Sequence, residues 1–199
     1  MFAPEYDLTM SCLSDVDIVN AITLTHFLVE GFSDLTKQIQ PASFDLRLHP
    51  VLRRLVSGSY DLNYESRTNK SVFTEQLDMT VGGGYVMQPG DFLLASTIET
   101  VRLSADLRGV LHNKSTPARM GLSVCNDSAF VDPGFRGQIT LELVNNGPLP
   151  IVLRPGAMIC QLELSYLVNP SRAPYGSKER GSHYQNQKEA TPAAVHSPK

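Results

Sequence analysis

From Tyr85 onward, short apolar runs alternate with turn clusters, and this punctuation constrains the fold more than any other feature of the chain. YVMQ, DFLLAST, GVLH, GQITLELVN, LPIVLR and AMICQLELSYL are set off by QPGD, DPGFRG, NNGP and RPGA. Proline presets φ and glycine takes positive φ without a Cβ clash, so each cluster turns the chain before a helix can propagate. Many short strands at such intervals predict an all-β sandwich or barrel. No helical pattern intervenes, which argues against a doubly wound α/β fold.

Upstream the period changes twice. Ser14 followed by Asp17 has the form of a capping box, and Val16, Val19, Ile22 and Phe27 recur at roughly helical spacing, so a helix is expected over 14 to about 29. After Pro41 the period becomes two. In ASFDLRLH, Phe44, Leu46 and Leu48 alternate with Ser43, Asp45, Arg47 and His49, the pattern of a half-buried strand. Ser57 to Gly84 is polar and ends in glycines, which fits a loop or an irregular hairpin.

The expected organisation is one β domain over 1–168, with the N-terminal helix, and a flexible tail over 169–199. A chain of 199 residues with 42% hydrophobic residues holds one full-sized core. Past Val168 aliphatic residues almost vanish, and Arg172, Lys178, Arg180, Lys188 and Lys199 against Glu179 and Glu189 give the tail a charge of +3. With a net charge of -3 there is no electrostatic footprint for a nucleic-acid polymer. A small anion remains a candidate ligand, and a cationic tail can fold over it. Cys12, Cys125 and Cys160 lie far apart and form no C-x-x-C, as suits a reducing compartment. No basic leader precedes an apolar core and no apolar run approaches the length of a bilayer span, so a cytoplasmic protein with no membrane association is expected.

Two places carry candidate chemistry. HNKSTPARMG gathers Lys114, Ser115, Thr116 and Arg119 within six residues, a set of donors suited to phosphate. The plain alternative is a solvated loop. In GQITLELVNN, alternation puts Ile139, Leu141 and Leu143 on one face and Gln138, Thr140, Glu142 and Val144 on the other. If that second face is covered, Glu142 loses water and becomes a useful general base, and Arg119 can hold it if the strands approach. If it is not, Glu142 is an ordinary surface carboxylate. G-x-x-x-x-G-K-[ST], G-x-S-x-G and the H-x-E with P-C-x-x-C of zinc deaminases are all missing from the sequence.

NKSTPARMGL, DSAFVDPGFRGQITLELVN, LRPGAMICQLEL and PYGSKERGSHYQNQ, in that order, resemble the dCTP deaminase branch of the dUTPase superfamily. LSDVDI and ASFDLRL extend the resemblance over almost the whole chain, with about 50 to 84 the weakest part. It implies a distorted β-barrel or jelly roll, assembled as a homotrimer with active sites between subunits. The implied reaction is zinc-independent hydrolytic deamination of dCTP to dUTP and ammonia. Glu142 matches the base that activates water for attack on C4, with Ser115 and Arg119 orienting the pyrimidine and the carboxylate. Lys114, Ser115 and Thr116 fall where the family binds the triphosphate and its magnesium, with no metal held by the protein itself. Asp132 falls at the deoxyribose, and Phe135 is either a sugar-packing face or ordinary core. Tyr175 and Gln187 match tail residues that close over the phosphates, and Lys178 lies in the same segment.

Three positions depart from the family pattern. Lys114 replaces an arginine, giving up a bidentate fork for a point charge, and His183 replaces a lysine. Asp127-Ser128 stands where Thr-Ala is common, which either adds a carboxylate acceptor for the cytosine amino group or selects another pyrimidine. The rival readings are a bifunctional deaminase that yields dUMP and pyrophosphate, a dUTPase, and a catalytically silent nucleotide-binding regulator. Ser115, Arg119 and Glu142 together argue against the regulator, which needs no base.

Overall fold

The computed structural model describes residues 12–60 and 73–193. It is mainly β. Leader and membrane readings that rest on residues 1–11 lie outside this range, as do parts of the 57–84 segment and the last six tail residues; among the described residues no helix is long and apolar enough to cross a membrane.

Helix α1, Asp15–Thr23, begins where the capping box predicts. Ser14 Oγ accepts the Asp17 amide at 3.3 Å and the Asp17 carboxylate accepts the Ser14 amide at 3.1 Å. It ends six residues sooner than the spacing suggested, because Thr25 turns at φ 62 and the next residues form strand β1, Phe27–Glu30. The buried side chains of α1 are Ile18 and Ala21, while Val16 and Val19 face outward. Of the recurrence's helical members only Ile22 packs against the core, and the pattern carried Phe27, a core strand residue, into the helix.

After α2 (Leu35–Gln38) come β2 (Ile39–Gln40), β3 (Ser43–Arg47), β4 (Val51–Ser57), β5 (Phe73–Asp78), β6 (Tyr85–Met87), β7 (Phe92–Leu103) and β8 (Leu107–Asn113). A short helix α3, Ser115–Arg119, leads to β9 (Leu122–Ser123), β10 (Phe130–Val131), β11 (Arg136–Asn145), β12 (Ile151–Leu153) and β13 (Met158–Tyr166). Strands β12 and β6 pair with each other apart from the two large sheets; one of these runs β5-β4-β7-β11-β9 with β1 on part of the β7 edge, and the second runs β10-β8-β13-β3-β2. Both stay open. Strands β4 and β5 pair antiparallel, as the hairpin reading of the 57–84 segment requires.

The two sheets share one apolar cluster, with Leu93, Ala95, Leu141 and Leu143 from one and Phe44, Leu46, Leu162 and Leu164 from the other. Burying side chains of this size stabilises by about 1.5–3 kcal/mol each. A bulge between Gln138 and Thr140 interrupts the β11–β7 ladder. The Ile139 amide in the bulge donates to Thr97 Oγ1 at 3.0 Å, so no buried donor is left unpaired there.

Strand β3 departs from simple alternation, because Asp45 is buried along with Phe44 and Leu46. Its neighbour in the polar interior is Glu99, fully buried on β7. Glu99 accepts from Gln38 Nε2 at 2.8 Å, the Arg47 amide at 2.9 Å and Arg47 Nε at 2.7 Å. These charge-assisted bonds are what allow a carboxylate to stand inside the fold.

Candidate active site

Glu142 lies on β11 between Leu141 and Leu143, both fully buried. Alternation turns its side chain to the opposite face, where it lines a cavity of about 450 Å³. Leu94, directly across in the β7 register, shares that wall. Oε2 of Glu142 is buried without a hydrogen-bond partner. Burial lifts the carboxyl from 4.5 to about 7, and no cation among the described residues counters it. Cys125 runs beside it through a backbone bridge; burial, then Glu142 and Asp127, push that thiol up.

The tail closes one side of this cavity. Gly134 in the DPGFRG turn has φ +86, and a Cβ there would stand 2.6 Å from Pro174 Cβ and 2.8 Å from the Tyr175 carbonyl. Only glycine lets the tail come so close. Tyr175 packs on Phe135 with ring centroids 5.9 Å apart, and its hydroxyl accepts the Tyr184 amide at 2.9 Å. Gln185 Oε1 accepts the Arg136 amide at 2.9 Å, and Gln185 Nε2 donates to the Gly134 carbonyl at 2.9 Å. Farther along, Gln187 Nε2 donates to the Gln138 carbonyl at 2.7 Å. A tail expected to be flexible is thus laid along β11, on the strand face that carries Glu142.

Of the residues singled out from sequence, the fold brings Ser128, Asp132, Phe135, Tyr175 and Gln187 to the Glu142 cavity. Phe135 answers both readings offered for it, since it belongs to the core cluster and lines the cavity. Asp127 and Lys178 are exposed and do not line it. Asp127 sits at φ 74, next to Asn126 at φ 22, in a left-handed turn that Asn and Asp tolerate better than most residues.

Lys114, Ser115, Thr116 and Arg119 also stand apart from the cavity of their own chain. Ser115, Thr116 and Arg119 are exposed on α3. Lys114 is committed elsewhere, its Nζ 2.5 Å from Oδ2 of buried Asp45, so it anchors the start of α3 to β3. Arg119 forms no ion pair with Glu142 within the chain.

Sequence reasoning missed Tyr60, Leu94, Phe130, Thr140, Tyr184, Thr191 and Ala193 on the cavity wall. Thr140 was placed on the correct face by alternation but not given a role. The tail residues carry no local signal, because their position depends on docking to β11.

Glu142, half-buried on its strand, thus faces a cavity lined by aliphatic residues and by the rings of Tyr60, Phe92, Phe130, Phe135, Tyr175 and Tyr184. A family model described as dCTP deaminase-like matches residues 12–167, and the chain belongs to that family. Among its relatives is the dCTP deaminase, dUMP-forming, of Corynebacterium glutamicum, 39% identical over 184 residues that cover 92% of this chain and 96% of the relative. The enzyme of the same description from Mycolicibacterium smegmatis is 40% identical over 184 residues, with the same coverage. The solved structure of 2'-deoxycytidine 5'-triphosphate deaminase from Agrobacterium tumefaciens superposes with a TM-score of 0.60 at 25% identity and covers 78% of this chain. The present chain spans about half of that protein, 48% of its length.

Proposed function

We propose that this protein deaminates dCTP by hydrolysis, with Glu142 as general base, and carries the product on to dUMP. The carrying observation is Glu142 itself, buried at Oε2 without a partner and poised at about 7 where it faces the cavity. A base with a pKa near the working pH takes a proton from water effectively and can return it. Glu142 removes a proton as the water oxygen bonds to C4 of cytosine, and the carboxyl then delivers a proton to the exocyclic nitrogen. The bond from C4 to the exocyclic nitrogen breaks and ammonia leaves, the second water proton passes to N3, and a C4 carbonyl remains, with no zinc required. Asp132 and Phe135 are assigned to the deoxyribose, Ser128 and Asp127 to the base-facing loop, and Tyr175, Lys178 and Gln187 to the lid. Water attack at the α-phosphorus then expels pyrophosphate, a step supported by the dUMP-forming description of the relatives.

The phosphate donors are assigned to a second copy of the chain. Ser115, Thr116 and Arg119 are exposed and lie off the Glu142 cavity, so a site that needs both sets is completed between subunits, as a trimer permits. Ser115 and Arg119 of one copy then orient the pyrimidine over the carboxylate of another. Among the described residues no group of three or more His, Cys, Asp or Glu is arranged as a cage. Magnesium is assigned to the triphosphate, where it would neutralise phosphate charge.

Purified protein incubated with dCTP and magnesium tests the reading, with dCTP, dUTP and dUMP separated by chromatography and ammonia and pyrophosphate assayed. One equivalent each of dUMP, ammonia and pyrophosphate is expected. Accumulation of dUTP would mark a monofunctional deaminase, and recovery of untouched dCTP would overturn the assignment.

A further inference from the structure

The register places Arg53 of β4, Leu94 of β7 and Glu142 of β11 in one row across three strands. Adjacent residues in such a row project to the same side of the sheet, which is the cavity side. Arg53 does not line the cavity. Its Nε instead donates to the carbonyl of Ala190 at 2.8 Å, and Nη1 reaches Thr74 Oγ1 at 3.4 Å. Ala190 is only 2% exposed. On either side of it the Glu189 amide donates to Gln138 Oε1 at 2.5 Å and the Thr191 amide to Thr140 Oγ1 at 3.2 Å. Thr191 and Ala193 then form part of the wall that Glu142 faces.

We propose that Arg53 is a positioning residue that clamps tail residues 189–191 over Glu142. This rests on the assignment of Glu142 as the base. No carboxylate among the described residues forms an ion pair with Arg53, so its charge strengthens the bond to the Ala190 carbonyl. The clamp lies beyond the tail residues that match the family motif, and it ties the far end of the lid to the strand row of the base.

The consequence is chemical as well as mechanical. The titratable groups around Glu142 are Cys125 alongside it, Asp127 near that thiol, Asp132 and the phenols Tyr60, Tyr175 and Tyr184 on the cavity wall, and Arg53 at the far end of the row. Burial is what holds the carboxyl up. Releasing the tail admits water to Glu142 and lets it ionise at lower pH.

Full-length protein is compared with Arg53→Gln, Arg53→Lys and Ala190→Leu. The last variant unseats the tail by overfilling the Ala190 socket while leaving the sheet sequence intact. Trypsin release of the tail is followed by mass, and the pH dependence of kcat/KM for dCTP is measured in parallel. Losing one charge-assisted hydrogen bond should raise tail release about tenfold in Arg53→Gln, with Arg53→Lys between it and the wild type. Ala190→Leu should behave like Arg53→Gln, and in both the acid limb should move down by about one pH unit. Unchanged tail release in Arg53→Gln and Ala190→Leu overturns the clamp. Faster release with an unmoved acid limb also overturns it, since Arg53 would then hold the tail without acting on Glu142. If the wild-type protein leaves dCTP untouched, the proposed function fails, and tail release alone decides the clamp.

Discussion

Glu142→Gln should make the protein inactive and, at alkaline pH, more stable. The carboxyl is lifted by burial from 4.5 to about 7. A folded-state pKa above the unfolded one means that the native protein binds the proton more tightly. The associated stability is present in full below about 4.5, is lost as pH rises toward 7, and leaves an ionised, poorly solvated group above that. Taken at face value, the difference amounts to about 3.4 kcal/mol at ~1.36 kcal/mol per pH unit. Glu142 is half-buried, so screening by solvent reduces this to about 1.5 kcal/mol. The isosteric amide removes the charge and should raise Tm at pH 8 by about 3–6 °C in a protein of this size. At pH 5 the gain should shrink to about 1 °C, because the native carboxyl is then largely protonated. Turnover of dCTP should fall by about 10²–10⁴-fold. Thermal melts of both proteins at the two pH values, with a product assay at each, test the argument. A Tm gain equal at pH 5 and pH 8, or none at pH 8, would refute the claim that Glu142 carries an uncompensated buried charge.

Two further perturbations address the parts that lie away from the cavity. Glu142→Gln and Ser115→Ala, each inactive alone, should recover about a quarter of wild-type activity when refolded together, the share of sites in a random cyclic assembly that draw both intact residues from different copies; no recovery would place the whole site within one chain. Asp45→Asn should lower stability by about 3 kcal/mol in denaturant melts by leaving Lys114 without its partner, and adding Lys114→Met should restore part of the loss. Additive losses in the double variant would mean that the 2.5 Å pair does not couple the two residues.

Much of this architecture was legible because the turn chemistry is local. The Pro-Gly clusters stand between strands as expected, and strict alternation along β11 put Glu142 on the face opposite the core before any neighbour was known. The N-terminal helix was legible at its start, where the Ser14–Asp17 cap is written in four residues. Its end was not, because Thr25 at φ 62 has no sequence signature and Phe27 sits at a spacing that also fits a helix. Asp45 illustrates the same limit. Alternation assigned it to a solvent face, but its burial depends on Lys114, 69 residues away. The Ala190 socket needs contacts 137 residues apart, which no local pattern encodes.

The site owes its economy to the period of one strand. Leu141 and Leu143 spend their side chains on the core, and the residues between and before them, Gln138, Thr140 and Glu142, stay polar on the other face. A face of that kind, left open, would hydrate Glu142 and return it to an ordinary surface acid. The tail prevents this through bonds to the same face: Gln138 accepts the Glu189 amide, Thr140 accepts the Thr191 amide, and Gly137 leaves room for Gln187, whose backbone a Cβ there would meet at 3.0 Å. The residues that receive the lid are thus two and four positions from the carboxylate it covers. A register slip of one residue would turn Glu142 into the core and remove every tail acceptor at once. The base and its cover are therefore specified together, and a change that disturbs one should be visible in the other.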